Sequence, residues 1–582
     1  MMNFSAHEIN ERLDELVSLG LFGKNFKFRT KQKEVILTIA HVYLNKLAES
    51  IIIEAPTGSG KSVIAMITSK LLESFDSTGY VLTSDLSLQS QYEADFSKYD
   101  LKWGTIKGID NYSCSVNDLS FSLGECRIRN MSYKQAESLA CFHTCGYLQN
   151  RKKAIHSRIS LLNYSFWLLQ RNYVAKKQGE DGEEESFPQR DFTFFDEAHK
   201  IPDIVQNHFA PTVDYKIVDN VNRLYDELRH QGINISALSK SQFNANVDAL
   251  IKETDKSNLL NGLISLKNIL IPYHDLSDYV RTKIKELFPI NATPTTEWRL
   301  ISSLMDKVKD TFCKVEDYID IILEVGLDKL VKIKNSEESV TFKCLDERHM
   351  IKKHLLEKSR FKIFMSATIG DPKRYMVNMA ITDAKLIKLG NTFDFSKSPI
   401  IIGKKYRMSF SKKDENFPHV LAIHDQIIGN FHKNEKGIVH TGSYDITDKI
   451  KKNSSVKDRL IIYNNSVSKK LALQEFEISH NKILIGPSLL EGLDFKDDMS
   501  RFQIFFKVPY PSLSDPFIKE KLEESQDWYN YKTAISILQG IGRSVRNSED
   551  WAKTYFLDAC FYDFYNKNKE MFPLWFNERI KK

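Results

Sequence analysis

The sequence predicts an α/β fold with two parallel-sheet domains and a long helical interval between them. In both domains, short apolar runs typical of buried strands alternate with stretches of helical periodicity. The runs are 51–53, 80–83 and 192–195 in the first domain, and 437–439, 460–462, 482–485, 502–505 and 554–557 in the second. At 582 residues the chain also exceeds what one hydrophobic core usually supports.

The helical interval covers residues of about 203–355. Apolar side chains recur there with spacings of four, three and four residues, as one face of a helix requires, and glycine and proline are rare. Two such series are Ile217, Val221, Leu224 and Leu228, and Leu259, Leu263, Leu266 and Leu270.

Composition restricts the function classes only mildly. The 82 basic residues face 76 acidic ones, so the net charge of +6 permits a local basic groove without demanding a nucleic-acid partner. Neither a signal-type apolar core in the first 21 residues nor an apolar run of about 18 residues is found. We therefore expect no membrane association and a cytoplasmic location.

A phosphate-binding loop is predicted directly after the first strand. Its glycines let backbone N–H groups turn towards phosphates, the lysine reaches the β- and γ-phosphates, and the final hydroxyl ligates Mg²⁺. The loop consists of Pro56, Thr57, Gly58, Ser59, Gly60, Lys61 and Ser62. A helical run follows it, so a strand–loop–helix setting for bound ATP is expected.

A pair of carboxylates closes the strand 192–195. Asp196 is expected to hold Mg²⁺ and Glu197 to polarise the attacking water. Asp-Glu pairs are usually just solvated, and it is the position after an apolar strand, downstream of a phosphate loop, that favours a catalytic role.

Two further pairs of residues are candidates for the same site. Arg29 and Gln32 precede a helical stretch, and an amide that both donates and accepts suits an adenine edge. In the second domain, Arg543 and Arg546 stand one helical turn apart and are suited to neutralise charge on the γ-phosphoryl group. An ordinary surface helix would show the same arginine spacing.

Four of the seven cysteines lie within 32 residues: Cys114, Cys126, Cys141 and Cys145. Such a group can hold zinc or a 4Fe–4S cluster, and spacing does not decide between them. Zinc sites usually show two close pairs, whereas only Cys141 and Cys145 are close here, which favours the cluster. His143 lies between them and is interpreted as a bystander.

The ordered set of motifs resembles the XPD/DinG-type DNA helicases of superfamily 2. Besides the segments above, the resemblance includes residues 83–91, 163–164, 366–368, 442–444, 488–495 and 539–546. Residues 107–114 and 145–154 are similar to the family segments that enter and leave its cluster domain. Ile109, Asp110 and the pair Trp551-Ala552 depart from the family pattern, and none of them has an assigned role.

The resemblance implies two RecA-like parallel-sheet motor domains with an inserted iron–sulfur domain and an inserted helical arch. The implied division is 1–105, 156–202 and 356–395 for motor domain 1, 106–155 for the cluster domain, 203–355 for the arch and 396–582 for motor domain 2. It adds His199 and Gln539 to the catalytic set, and Glu491, Gly492 and Asp494 to the ATP-binding set. The implied cofactors are ATP, Mg²⁺ and a 4Fe–4S cluster.

The expected function is ATP-dependent movement on single-stranded DNA, 5′→3′ by resemblance, with unwinding of tailed duplex DNA. RNA–DNA hybrids are a further candidate substrate, and a bacterial or phage-encoded protein is expected. Two alternatives remain open: an RNA-directed helicase, and an ATP-switched clamp that binds nucleic acid without processive unwinding. A third alternative, an ATPase that is not a motor and whose hydrolysis does not depend on nucleic acid, is disfavoured by the set of motifs.

Overall fold

Sixteen strands are found in the part of the chain that the computed structural model describes. That part comprises residues 4–23, 25–56, 58–99, 101–129, 131, 133–174, 186–235, 240–289, 292–389, 395–463, 466–487, 489, 495, 497–542, 544 and 550–581. The strands are β1 (Ser50–Glu54), β2 (Gly79–Thr83), β3 (Gly104–Thr105), β4 (Ile159–Asn163), β5 (Phe192–Asp196), β6 (Thr212–Asp214), β7 (Leu330–Ser336), β8 (Ser339–Cys344), β9 (Phe361–Ser366), β10 (Lys385–Lys388), β11 (Ile400–Ile402), β12 (Gly437–His440), β13 (Leu460–Ile462), β14 (Ile483–Gly486), β15 (Phe502–Phe505) and β16 (Lys553–Phe556).

The strands form two parallel sheets, which confirms the predicted fold class. The first sheet has the order β10-β1-β9-β5-β2-β4-β3 and the second β11-β16-β15-β12-β14-β13. In the first sheet, Ile51 and Ile53 face one core and Ile52 faces the other, as the twofold periodicity of a strand requires. Both faces are covered, so the central strands are continuously apolar.

Helices cover the sheets and form most of the interval between them. The α-helices of the first half are Ala6–Ser18, Gln32–Leu44, Lys61–Glu73, Leu86–Lys98, Glu125–Ile128, Tyr133–Glu137, Gly146–His156, Tyr164–Leu169, Ile201–Phe209, Tyr215–His230, Lys240–Lys252, Lys256–Leu287 and Thr296–Val325. Those of the second half are Glu347–His354, Pro372–Asn378, Lys413–Gln426, Tyr444–Asn453, Ser466–Ile478, Pro516–Glu524, Gln526–Ile541, Cys560–Lys567 and Leu574–Arg579. None of the helices in the described ranges is both long and apolar enough to cross a bilayer.

The interval 203–355 is only partly helical. Both predicted apolar series are buried, on the helices Tyr215–His230 and Lys256–Leu287. However, β6, β8 and β7 form a three-stranded antiparallel sheet within the interval, which the helical periodicity of the sequence did not predict. β8 alternates buried with half-buried residues, but β7 does not alternate, and a pairing partner more than 100 residues away, β6, gives no local signal.

An ion network joins the segment of the four cysteines to the long helices. Glu125 lies between Arg129, whose Nη1 is 3.0 Å from its Oε2, and Arg299, whose Nη2 contacts its Oε1. Arg299 Nη1 also donates to the carbonyl of Leu123 at 3.0 Å, and Arg129 Nε donates to the carbonyl of Phe288 at 3.0 Å. Glu125 and Arg129 are buried, so each charge depends on its partners.

Arg299→Ala should therefore destabilise the junction between these two insertions. Loss of the guanidinium leaves Oε1 of the buried Glu125 without its cation and removes one of the two donors to the Leu123 carbonyl, which costs about 1–3 kcal/mol. Thermal unfolding and limited proteolysis would show a lower melting temperature and faster cleavage. Lys314→Ala, which removes an exposed pair with Asp310 on the same helix, is the matched control. Equal behaviour of the two variants would contradict the structural role.

Candidate functional site

The phosphate loop connects β1 to the helix Lys61–Glu73. Gly58 and Gly60 have φ values of +79° and +80°, a region that disfavours side chains with a Cβ atom. A Cβ atom on Gly60 would stand 2.3 Å from Nε2 of Gln32. The loop therefore requires glycine at this position both for its backbone conformation and for the approach of the Gln32 amide. Thr57 lies outside the described residues.

Gly60→Ala should impair both folding and ATP hydrolysis. The left-handed conformation costs about 1–2 kcal/mol with a Cβ atom, and the clash displaces Gln32 in addition. Gly20→Ala is the control, because Gly20 has a φ of +72° and a Cβ atom added there would have no other atom within 4 Å. We expect both variants to lower the melting temperature and only Gly60→Ala to reduce phosphate release; a fully active Gly60→Ala enzyme would contradict this account.

Arg29 and Gln32 brace the phosphate loop from the side. Gln32 is buried, its Nε2 donates to the carbonyl of Ser59 at 2.9 Å, and its Oε1 accepts from the backbone N–H of Arg29 at 2.7 Å. The Arg29 guanidinium donates to the carbonyl of Gly58. The two residues that the sequence associates with an adenine edge thus also hold the loop backbone in place.

Lys61 and the carboxylate pair meet at the carboxyl ends of β1 and β5. Lys61 Nζ lies 3.0 Å from Glu197 Oε1. Asp196 is buried, and its oxygens accept from the Tyr92 hydroxyl and from the Glu197 backbone N–H, both at 2.8 Å. The predicted lysine, aspartate and glutamate are therefore assembled in one place.

The pKa values of the two carboxylates are shifted in opposite directions. Burial, followed by the charge of Glu197, raises the pKa of Asp196. Burial also opposes ionisation of Glu197, but Lys61, His199 and Lys200 together outweigh it and lower the pKa of Glu197. A cation near Asp196 would reverse its shift, which is the behaviour expected of a metal-binding carboxylate.

Tyr92 and Asp95 belong to this neighbourhood and were missed by the sequence reasoning. Both lie on the helix Leu86–Lys98, which includes most of the motif 83–91. Asp95 Oδ2 accepts from the Ser62 hydroxyl at 3.5 Å, beside the position where the loop would present that hydroxyl to Mg²⁺. Only the packing of this helix against the loop reveals them, because nothing in the local sequence separates them from ordinary helix residues.

His199 connects the acid pair to the end of β9. Its Nδ1 lies 2.7 Å from the Ser366 hydroxyl and 3.3 Å from Glu197 Oε2. Burial lowers the pKa of His199 to about 4, so the ring is neutral at pH 7. The motif 366–368 thus lies directly between the phosphate loop and the acid pair, because β9 separates β1 from β5 in the sheet.

A cavity of about 240 Å³ lies next to His199, between the first and second sheet domains. His199 and Lys200 line it from one side, and Ser536 and Gln539 of the helix Gln526–Ile541 line it from the other. Around the cavity, the Tyr531 hydroxyl donates to the carbonyl of Ile369 at 2.8 Å. The predicted residues Arg543, Arg546, Glu491, Gly492 and Asp494 lie outside the described residues.

The four clustered cysteines lie close enough to influence one another. Burial and then the nearby thiols of Cys145, Cys114 and Cys141 raise the pKa of Cys126 to about 12. Cys114, Cys126 and Cys145 are buried, and all four thiols are free of disulfides. Within the described ranges, no group of three or more His, Cys, Asp or Glu side chains has an arrangement ready to hold a metal ion.

Two family models match the chain in the regions of the two sheets. One, described as "Type III restriction enzyme, res subunit", matches residues 25–218, and one described as "Helicase C-terminal domain" matches residues 431–579. Among curated relatives, an "ATP-dependent DNA helicase YoaA" of Haemophilus influenzae is 22% identical over 90% of each chain. A "probable ATP-dependent helicase" of Methanocaldococcus jannaschii is 22% identical over 92% of each chain.

Solved structures agree with the fold over nearly the whole chain. The structure of S. tokodaii Xpd4 has a TM-score of 0.60 at 15% identity and covers 95% of this chain and 99% of its own. A structure titled as an XPD helicase has a TM-score of 0.61 at 14% identity, with coverages of 94% and 98%.

The two sheet domains, the assembled phosphate-loop site and the family models define an ATP-hydrolysing helicase of superfamily 2. Two relatives align with nearly the whole chain, and two solved structures share its fold. Together they point to one type of helicase within this superfamily. Over nearly its whole length the chain is similar to the XPD/DinG type of these helicases.

Proposed function

We propose that the protein hydrolyses ATP in the cleft between its two sheet domains in order to move along single-stranded DNA and unwind duplexes. One observation carries the proposal: Lys61, Asp196 and Glu197 are assembled in one place, and their neighbour His199 lines a cavity whose opposite wall includes Gln539 of the second domain. A nucleotide held by Lys61 would therefore lie at the boundary between the two domains, so hydrolysis would change their separation. The DNA substrate is supported by the Haemophilus relative.

The roles proposed within the site follow from the geometry. Lys61, now paired with Glu197, would exchange that partner for the β- and γ-phosphates. Asp196 and Ser62 would hold Mg²⁺, with Tyr92 fixing the orientation of the Asp196 carboxylate. Glu197, kept ionised, would accept a proton from the attacking water.

We further propose that Arg543 and Arg546 stabilise the charge on the γ-phosphoryl group, with Gln539 and His199 linking them to the acid pair. Glu491, Gly492 and Asp494 would complete the ATP site.

We also propose that Cys114, Cys126, Cys141 and Cys145 hold a 4Fe–4S cluster. Three of the thiols are buried, and burial, followed by the proximity of the other thiols, raises the pKa of Cys126, a penalty that bound metal removes by favouring the thiolate. A Cβ atom on Gly124 would stand 3.4 Å from Cys114 Sγ, so a glycine leaves room beside this thiol. The cluster would hold its small domain together beside the DNA path. This domain and the arch would form a wedge that separates the two strands of the duplex.

The proposed domain division is the one given above, with motor domain 1 ending near residue 395. β9 and β10 pair with β1 of the first sheet, while β11 pairs with β16 of the second, which supports a boundary between Lys388 and Ile400. The bacterial relative supports the cytoplasm of a bacterium, or of a phage-infected cell, as the place of action.

Strand displacement on matched substrates tests the function and its alternatives. DNA duplexes with a 5′ tail, a 3′ tail or no tail, an RNA–DNA hybrid and an RNA duplex would be offered with ATP and Mg²⁺. We expect unwinding of the 5′-tailed DNA and of the hybrid with a 5′ DNA tail. Stimulated ATP hydrolysis with every duplex intact would favour the clamp, and unwinding of RNA duplexes alone would favour the RNA-directed enzyme. Hydrolysis indifferent to nucleic acid would contradict the motor proposal.

A further inference from the structure

Residues 404–413 form a basic segment on the second sheet domain that the motifs above do not include. The segment reads Lys-Lys-Tyr-Arg-Met-Ser-Phe-Ser-Lys-Lys, with five basic residues and no acidic one. It connects β11, the outer strand of the sheet, to the helix Lys413–Gln426. The local charge is thus far more positive than the near balance of the whole chain.

The backbone of the basic segment is fixed at the carboxyl edge of the second sheet. Asp558 is buried and accepts from the backbone N–H of Met408 at 2.8 Å. The N–H of Ala559 donates to the carbonyl of Tyr406 at 2.8 Å, and Met408 itself is buried. The segment is therefore an ordered surface on a rigid support, and it lies at the same edge as the segment 442–444, which follows β12.

Aromatic rings alternate with the cations on this surface. Phe410 is 89% exposed, the highest value among the exposed large apolar side chains of the described residues. Lys404 Nζ lies 5.2 Å from the ring centre of Tyr562, which is itself partly exposed, and Lys405 Nζ lies 5.1 Å from that of Tyr406. Lys413 Nζ lies 5.6 Å from the ring centre of Phe410, the rest of this ring is open to solvent, and a nucleobase can stack on any aromatic face.

The cations of the basic segment differ in their partners. Arg407 lies 2.8 Å from Asp563, and Lys413 lies 3.3 Å from Asp445. Lys404 and Lys405 are exposed and contact rings instead, so their ammonium groups remain available to phosphates. The contact to Asp445 also places the segment next to Tyr444, an exposed residue of the motif 442–444.

We propose that the basic segment is an additional binding surface for single-stranded DNA, which extends the strand path beyond the motif 442–444 to the outer edge of the second sheet domain. Lys404 and Lys405 contact backbone phosphates, and Phe410 stacks on a base. The inference rests on the proposed function, since it names a further part of the surface that holds the strand. Its consequence is a longer binding site than the motifs alone provide.

Binding of a fluorescein-labelled oligothymidylate of about 20 nucleotides, measured by anisotropy at several salt concentrations, tests the proposal. Each phosphate contact on a single strand contributes about 0.7 to the slope of log K against log salt, so Lys404→Ala with Lys405→Ala should reduce the slope by about 1.4. Phe410→Ala should weaken binding by about tenfold through the loss of one stacked base. Both variants should keep the melting temperature of the unaltered chain, because the altered side chains are exposed.

The matched control is Lys451→Ala with Lys452→Ala, two adjacent exposed lysines in the last turn of the helix Tyr444–Asn453, away from the edge that carries Tyr444. We expect this control to bind with unchanged affinity and salt slope. Unchanged binding by the segment variants, or an equal loss in the control, would overturn the inference while leaving the proposed helicase function standing. If the unaltered chain itself does not bind the oligonucleotide, both proposals fail.

Discussion

Lys61→Ala should abolish ATP hydrolysis, with a loss of at least about 10²–10³-fold in the rate of phosphate release. Lys61 is the cation that the phosphate loop presents to the nucleotide, and its Nζ lies 3.0 Å from Oε1 of Glu197. Removing a charged donor from a site where phosphoryl charge develops costs a loss of this size. Steady-state hydrolysis in the presence of single-stranded DNA measures it.

Folding should survive the Lys61 substitution, because Glu197 keeps His199 at 3.3 Å and its side chain is partly exposed to solvent. Lys70→Ala is the matched control: this lysine lies on the same helix, and its ion pair with Glu73 is at the other end of the helix from the site. We expect near-normal hydrolysis from the control and similar melting temperatures for both variants. Substantial hydrolysis by Lys61→Ala would show that ATP is not held by this loop.

Cys145→Ser should remove the visible absorbance of the protein and its unwinding activity while sparing much of the fold. Cys145 is buried, and its backbone starts the helix Gly146–His156, so its thiol has a fixed position relative to the other three cysteines. A hydroxyl is a poor replacement for a thiolate ligand of iron. An anaerobic visible spectrum, with iron, sulfide and zinc determinations, measures the effect.

Cys313→Ser provides the control for this experiment, because Cys313 lies on the helix Thr296–Val325, outside the cysteine cluster. We expect it to keep the colour and the metal content of the unaltered protein. ATP hydrolysis separates the two sites: Cys145→Ser should retain basal hydrolysis, since the phosphate loop is built from other elements. A colourless unaltered protein with stoichiometric zinc would contradict the iron–sulfur assignment.

The contiguous features of this protein could be predicted from its amino-acid sequence. The order strand, glycine loop and helix around Lys61 is local, and the buried strands appear as apolar runs because both faces of a parallel sheet are covered. The two helical apolar series were also predicted correctly, since a helix buries residues at regular intervals along one segment. These features depend on neighbours in sequence, and so a sequence shows them.

Which distant groups share a site became clear only from the packing of the folded chain. Lys61 and Glu197 become partners because they follow strands β1 and β5, which end at the same edge of one sheet. Strand β9 comes much later in the chain, lies between these two strands and brings Ser366 to His199. Tyr92 and Asp95 contact the site because their helix packs against it. Strand β6 pairs with β8, which lies more than 100 residues further along the chain. Such contacts depend on strand order and helix packing, which are set by the free energy of the whole chain and leave no signal in a local stretch of residues.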